Sequence, residues 1–131
     1  MTRYLTLEEV LDLQCQVTAE TGGRPGVLDS GRVESCVAQP QMTFGGQELY
    51  SSLADKAACL GYLIITNHAF ADGNKRAGYV AMRVFLLLNG HDLSGSHAEK
   101  EAVVLAVAAH QMSQEDFYAW VREHIQEHRG E

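Results

Sequence analysis

Two strongly apolar helical segments joined by a short connection constrain the fold more than any other feature of the sequence. The first runs from Leu53 to about Asn67, and residues 57–65 are apolar nearly all round, which is typical of a helix at the centre of a bundle. The second runs from Gly73 to Asn89. Its apolar residues recur at helical spacing and are Ala77, Val80, Ala81, Val84, Phe85 and Leu88.

Capping signals mark four further helices. The first helix opens with a Thr6 capping box and ends at Gly22, and a short one starts at Asp29 or Ser30 and ends near Gln39, before Pro40. Ser96 starts a helix to about His110, after an extended link over residues 91–95, and Ser113 starts the last. The buried stripe of that last helix is predicted to be Phe117, Trp120, Val121 and Ile125. Together these signals predict a single all-α domain over residues 1–131, with about six helices.

Composition excludes several classes of protein. The formal net charge of −7, with 10 Lys and Arg against 17 Asp and Glu, argues against binding of a nucleic-acid polymer, although a local basic site remains compatible with it. The sequence has neither a membrane-length apolar run nor a signal-peptide pattern. Three cysteines, Cys15, Cys36 and Cys59, are far apart and odd in number, which favours reduced core thiols and a cytoplasmic location.

The connection between the two apolar helices concentrates charged and polar residues. Residues 68–76 read His-Ala-Phe-Ala-Asp-Gly-Asn-Lys-Arg. The last four begin the second apolar helix, so the N–H groups there have no partner within the helix. Those donors and the helix dipole favour an anion, which Gly73 lets approach the backbone closely. Lys75 and Arg76 add full positive charge at the same point, and arginine can hold two phosphate oxygens at once.

A carboxylate and a histidine complete the segment. Asp72 alone would repel an anion, but it suits a Mg²⁺ ion that bridges carboxylate and phosphates. Histidine titrates near neutral pH, so His68 can accept a proton from a hydroxyl group. Phe70 lies between them, and we expect it to be an apolar anchor that points the other side chains outward.

Each of these residues also has a simpler interpretation when it is taken alone. His68 could be an ordinary loop or capping residue, and Asp72 could be the N-cap of the second apolar helix. The glycine and asparagine could be turn residues. The two cations could form a solvated first turn, although they oppose the helix dipole there. The coincidence of all these residues in nine positions favours a functional phosphate site.

Residues 68–76 also resemble the signature of the Fic/Doc superfamily, His-x-Phe-x-Asp-Gly-Asn-Lys-Arg, at all seven specified positions. A lysine before the arginine is the form of the death-on-curing (Doc) branch, whereas most Fic proteins have glycine there. Residues 26–35, 39–41 and 85–90 resemble that branch too. The resemblance therefore covers most of the chain and implies a Fic/Doc-fold helical bundle.

The resemblance implies a role for each motif residue. His68 would be the catalytic general base that deprotonates a hydroxyl on a target protein. Asp72 would bind Mg²⁺, and Phe70 would be structural. The nucleotide phosphates would be held by Gly73, Asn74, Lys75 and Arg76. Three positions depart from the family pattern: Ala69, Ala77 and Tyr79 stand where proline, threonine and a second arginine are common.

Two reactions and one non-catalytic role are compatible with this site. In the Doc branch the γ-phosphate of ATP is transferred, the family target is translation elongation factor Tu, and protein synthesis stops. Fic proteins with glycine before the arginine transfer AMP instead. A module that binds a nucleotide or a partner without turnover is the third alternative. Because we see no inhibitory helix motif, inhibition by a separate Phd-type antitoxin, whose C-terminal segment docks as a helix in a groove, is expected.

The loop from Pro40 to Gly46 carries one further alternative. It contains Met42 and Phe44, and its paired glycines suggest a turn or a short hairpin. It is either an ordinary connection or a flap that clamps a target peptide by strand pairing. The family has a flap near this position.

Overall fold

The computed structural model describes residues 1–128, which form six helices and two small antiparallel strand pairs. The helices are α1 (Leu7–Thr21), α2 (Ser30–Ala38), α3 (Leu53–Thr66), α4 (Asn74–Leu88), α5 (His97–Ala108) and α6 (Gln114–His124). The strands are β1 (Thr43–Phe44), β2 (Gln47–Glu48), β3 (His91–Leu93) and β4 (Ile125–Glu127). The prediction of an all-α bundle with about six helices is confirmed, and residues 43–48 form a small hairpin flap.

Helix starts follow the capping residues closely. Thr6 and Glu9 form a complete capping box at α1, and the Asp29 side chain accepts the N–H of Arg32 at α2. Serine side chains cap three more helices, α3, α5 and α6, and these are Ser52, Ser96 and Ser113. Each such cap satisfies a first-turn N–H group that has no partner within the helix. Helix α2 ends at Ala38, and a single 3₁₀ turn over Gln39–Gln41 follows.

Helices α3 and α4 form the centre of the molecule because two glycines let them approach closely. A Cβ atom on Gly78 would lie 2.6 Å from the Ile65 side chain and 2.9 Å from the carbonyl oxygen of Gly61. A Cβ atom on Gly61 would in turn lie 3.1 Å from the sulfur of Met82. The core around this contact includes the fully buried rings of Phe70, Phe85 and Phe117.

The C-terminal end of the bundle differs from the sequence expectation. The buried stripe of the last helix does not extend to Ile125, since α6 ends at His124 and Ile125 begins β4. Strand β4 pairs antiparallel with β3, and Leu93 is the register partner of Ile125. Trp120 is only partly buried and stacks on the ring of His124, with the ring centroids 4.3 Å apart. This strand pairing joins segments more than 30 residues apart, so helical periodicity could not reveal it.

The three thiols do not share one environment. Cys36 and Cys59 are buried and Cys15 is exposed, so the prediction of a core position is wrong for Cys15. Burial raises the pKa of the Cys36 thiol to about 11, and burial likewise raises the pKa of Cys59. Both buried thiols therefore stay protonated at neutral pH and behave as small core side chains. Within residues 1–128, no helix is long and apolar enough to cross a membrane.

Candidate functional site

The connection between α3 and α4 is held in place by a second loop, residues 24–29. Val27 and Phe70 form an isolated antiparallel bridge. The N–H of Leu28 donates to the carbonyl oxygen of Ala69 at 2.8 Å. Phe70 is 1 % exposed and packs in the core. The connection between α3 and α4 is therefore fixed by the buried Phe70 ring and by its backbone pairing, so the backbone that carries its exposed side chains is held in place.

His68 is exposed and has an unusual backbone conformation. Its φ angle is 50°, in the left-handed region that is uncommon for residues other than glycine, although asparagine, aspartate and histidine adopt it more often than the rest. The carbonyl oxygen of the preceding residue, Asn67, accepts a hydrogen bond from the Arg32 guanidinium at 2.8 Å. Such strain persists only where the surrounding structure imposes it, and it is concentrated at functional sites.

Asp72 is oriented by backbone donors on both sides. One carboxylate oxygen accepts the N–H of Gly73 at 2.8 Å, and the other accepts the N–H of Arg24 at 3.2 Å. Asp72 also lies against Gly23, where a Cβ atom would be 2.6 Å from the carboxylate. It is not the N-cap of α4, because Gly73 takes that position with a φ of 73° and no side chain caps the helix.

The N-terminus of α4 therefore keeps its anion-binding capacity. The Asn74 side chain pairs with the loop: its amide oxygen accepts the N–H of Phe70 and its amide nitrogen donates to the carbonyl oxygen of Phe70, both at 3.1 Å. The backbone N–H groups of the first turn, at Asn74, Lys75 and Arg76, have no partner within the helix. These donors form the positive end of the helix dipole, where an anion such as a phosphate is favoured.

The two cations of the motif have different surroundings. Both Lys75 and Arg76 are exposed. The Arg76 guanidinium donates to the carboxylate of Glu20 on α1 at 3.0 Å. Sequence reasoning missed both Glu20 and Arg24, because 56 and 48 residues separate them from their partners.

A cavity of about 400 Å³ opens between α4 and α5. Its lining combines cationic and apolar side chains, namely Lys75, Arg76, Tyr79, Val80, His97, Lys100, Glu101, Val104 and Leu105. Neither His68 nor Asp72 lines it. The cavity therefore adjoins the N-terminal end of α4 and is separate from the histidine and the carboxylate.

The oxygen ligands near Asp72 are too few to hold a metal ion alone, but they fit a Mg²⁺ ion that is shared with a bound phosphate. Within residues 1–128, no group of three His, Cys, Asp or Glu side chains is close enough to hold a metal ion. Asp72 is exposed, and each of its oxygens uses one lone pair on a backbone N–H and keeps another. Magnesium is commonly held by one or two carboxylates together with substrate phosphates and water. The site therefore fits a Mg²⁺ ion that arrives with a nucleotide.

Comparisons with known proteins identify the lineage of this site. A sequence model of the Fic/DOC family matches residues 4–86, which include the whole motif. The Toxin Doc of Mycolicibacterium smegmatis is 42% identical over 94 residues, which cover 72% of this chain and 70% of that protein. The Protein kinase doc of Escherichia phage P1 is 32% identical over 90 residues, which cover 67% of this chain and 69% of that protein. The chain belongs to the Fic/DOC family, in its Doc branch.

Proposed function

We propose that this chain is the toxin of a toxin–antitoxin pair, and that it transfers the γ-phosphate of ATP to a Ser or Thr hydroxyl of a target protein. One observation carries the proposal. An exposed histidine in a strained conformation stands four residues before a carboxylate that borders a helix N-terminus with no side-chain cap. The names of the two relatives, a toxin and a protein kinase, support the same activity.

Phosphate binding follows from the start of α4. The free N–H groups of the first turn bind the phosphate oxygens, and the αL conformation of Gly73 leaves that turn open. Lys75 and Arg76 add charge that the dipole alone does not supply. Asn74 contributes its backbone N–H, while its side chain locks the loop onto Phe70. Phosphoryl transfer depends mainly on such positioning and charge neutralisation.

Asp72 is the residue that holds Mg²⁺ in this proposal. The ion neutralises charge on the phosphates when it is bound. The two backbone N–H donors fix the direction of the carboxylate before the nucleotide arrives. Little reorganisation is then needed on binding.

His68 acts as the general base. Its imidazole accepts the proton of the target hydroxyl, the hydroxyl oxygen forms a bond to the γ-phosphorus, and the bond from that phosphorus to the bridging oxygen breaks. The products are a phosphorylated protein and ADP, and the proton leaves from the imidazolium. General-base catalysis of this kind contributes about 10²–10⁴-fold in rate.

The target and the partner are proposed from the family resemblance. Elongation factor Tu is the proposed target, and its modification in the cytoplasm halts protein synthesis. A Phd-type antitoxin is the proposed inhibitor. The cavity between α4 and α5 suits its docking segment, because an apolar floor of Val80, Val104 and Leu105 lies beside the cations Lys75 and Lys100. An amphipathic helix with an acidic edge matches that surface.

Intact-mass measurement of purified elongation factor Tu, incubated with the chain, ATP and Mg²⁺, tests the proposal. We expect the mass to rise by one phosphoryl group with the wild type and to stay unchanged with His68→Asn. Asparagine is the suitable replacement because it tolerates the left-handed backbone and cannot act as the base. His110→Asn is the matched control, since His110 is another exposed histidine with a φ of 59°. Modification that persists in His68→Asn would refute the assignment of the base.

AMP transfer is the second candidate, and Lys75 separates the two reactions. A lysine at this position fills space and adds positive charge in the first turn of α4, whereas the AMP-transferring members of the family have glycine. We expect Lys75→Gly to weaken phosphoryl transfer and to permit some AMP transfer, while Lys75→Met weakens phosphoryl transfer without AMP transfer. Unaltered chemistry in both variants would show that Lys75 does not set the orientation of the nucleotide.

A further inference from the structure

Gln14 is a buried polar side chain on α1, beneath the loops of the site. It is 1 % exposed, and sequence reasoning singled out no function for it. A buried amide destabilises a protein unless its donors and acceptor are paired. Its hydrogen-bond partners therefore indicate why glutamine occupies this position.

All the hydrogen-bond partners of the Gln14 side chain are backbone atoms of the two loops that form the site. Its Nε2 donates to the carbonyl oxygen of Asp72 at 3.0 Å and to that of Arg24 at 3.4 Å. Its Oε1 accepts the N–H of Gly26 at 3.3 Å. One side chain thus ties residues 24–26 to residue 72.

The Gln14 side chain binds both the residue that carries the carboxylate, Asp72, and the residue that donates to it, Arg24. Gln14 fixes the carbonyl group of Asp72, and it fixes the carbonyl group of Arg24, whose own N–H donates to the carboxylate. The carbonyl oxygen of Gly26 accepts the N–H of Ala71, so the other end of the loop is tied to the same segment. The orientation of the carboxylate therefore depends on a network that is centred on Gln14.

The same face of α1 continues this contact for one further turn. Val17 and Thr18 follow Gln14 at i+3 and i+4, and both are buried. A Cβ atom on Gly73 would lie 3.2 Å from the Thr18 side chain and 3.6 Å from that of Val17. Helix α1 therefore supports both residues that precede the first turn of α4.

We infer that Gln14 is a positioning residue that directs the Asp72 carboxylate toward a Mg²⁺–nucleotide complex. The inference rests on the proposed function of the site. Without Gln14 the two carbonyl groups and the Gly26 N–H lose a partner, and the loops separate. The carboxylate then loses its fixed direction, although it remains in the sequence.

Gln14→Met is the decisive variant, because methionine keeps the length and volume of the side chain and removes its hydrogen bonds. Gln16→Met is the matched control, since Gln16 is exposed on the same helix. Hydrogen exchange of amides in residues 24–28 and 69–73 is measured first. We expect exchange there to rise at least about tenfold in Gln14→Met, given the typical cost of an unpaired buried group. Exchange in α6 and in the control stays as in the wild type.

Calorimetric titration with ATP then separates positioning from a purely structural role. We expect Gln14→Met to raise several-fold the Mg²⁺ concentration at which ATP binding is half-maximal, and to leave ATP affinity without Mg²⁺ unchanged. Unchanged exchange in the loops would overturn the inference. Faster exchange with an unchanged Mg²⁺ requirement would also overturn it, because Gln14 would then be structural only. If the wild type itself binds no Mg²⁺–ATP, the proposed function fails, and the role of Gln14 fails with it.

Discussion

At the scale of single residues, Arg76 is engaged before any nucleotide binds. In the proposed function, its partner, the Glu20 carboxylate, would compete with phosphate oxygens for the same guanidinium. The pair is exposed, so it is a weak competitor. We expect Glu20→Gln to tighten ATP binding up to about fivefold, the range that an exposed ion pair supports.

Titration of each variant with Mg²⁺–ATP at low ionic strength checks this expectation. Glu34→Gln is the control, because it removes the same charge from an exposed position on α2. Weaker binding in Glu20→Gln would contradict the competition and would show that Glu20 orients Arg76 productively.

The sequence reveals residues that are contiguous in the motif but does not reveal the residues that they contact. The motif could be recognised because its histidine, carboxylate and cations lie within nine positions. The sequence could not reveal three supporting residues, because 48 to 58 residues separate them from the motif residues that they contact. These are Gln14, Glu20 and Arg24. The pairing of the Asn74 side chain with the backbone of Phe70 was not predicted from the motif either.

At the scale of elements, the contact between α3 and α4 depends on Gly78. A methyl group there would overlap Ile65 and the backbone of Gly61. We expect Gly78→Ala to lower the free energy of unfolding by about 1–3 kcal/mol, as overpacking does, although alanine favours helices more than glycine. Urea denaturation measures the change.

Gly31→Ala on α2 is the control for that substitution. Only an Asp29 carboxylate oxygen lies near that position, at 3.3 Å. That oxygen caps α2 and must shift by a few tenths of an ångström to admit the methyl group, while alanine gains helix propensity, so we expect a smaller loss of stability than at Gly78. Equal effects of the two substitutions would show that α3 and α4 are not closely packed at Gly78.

The flap is attached to α3 through an ion pair in which the cation is buried and the carboxylate is exposed. The Lys56 ammonium is 2 % exposed and donates to the Tyr50 carbonyl oxygen, while its ion-pair partner Glu48 is 52 % exposed and lies 3.0 Å away. Glu48→Gln leaves a buried cation without its counter-charge, whereas Lys56→Met leaves a carboxylate that water can solvate. We therefore expect Glu48→Gln to destabilise by about 1–3 kcal/mol.

Lys56→Met is expected to change the free energy of unfolding by less than Glu48→Gln does, and to release the flap. Urea denaturation and hydrogen exchange over residues 43–50 measure the two effects. A larger loss in Lys56→Met would mean that the ion pair, and not the buried charge, dominates.

The ends of the helices show which boundaries can be predicted from neighbouring residues and which cannot. Caps such as Asp29 and Ser96 fixed helix starts, because capping is a local interaction. The prediction that the buried stripe of α6 extends to Ile125 was wrong, because an apolar residue at that position fits a helical stripe as well as a strand. Its pairing with Leu93 in β3 decides the outcome, and such pairing is non-local.

At the scale of the whole molecule, stability depends on pH through carboxyl groups whose pKa values are lowered by folding. The Arg3 guanidinium and the Thr6 N–H lower the pKa of Glu9 from 4.5 to about 2. Burial opposes a low pKa at Asp92, but hydrogen bonds from Arg83 and the Leu93 N–H outweigh it and lower that pKa too. These contributions are complete above the unfolded-state pKa and decline as pH falls toward the folded-state pKa.

We therefore expect the free energy of unfolding to decrease as the pH falls from about 4.5 to 2, the two values given for Glu9. Urea denaturation at a series of pH values measures the slope. Glu9→Gln, which can retain the capping box, should flatten it. A slope that Glu9→Gln leaves unchanged would assign the acid dependence to other groups.

The distribution of charge also limits the partners of the molecule. The net charge is −7, yet Lys75 and Arg76 are adjacent at the open end of α4. A basic site of that size suits one nucleotide and not a polymer. Such a local basic site would let an acidic protein bind ATP, as the proposed function requires.

Label transfer from ATP distinguishes phosphoryl transfer by His68 from the other candidate activities. Cell extract is incubated with the wild type or with His68→Asn, in the presence of Mg²⁺ and ATP that is labelled at either the γ- or the α-phosphate. We expect protein to be labelled from the γ-phosphate only, and by the wild type only. Label from the α-phosphate would contradict phosphoryl transfer, label that persists in His68→Asn would contradict the role of His68, and no label from either ATP would contradict catalysis.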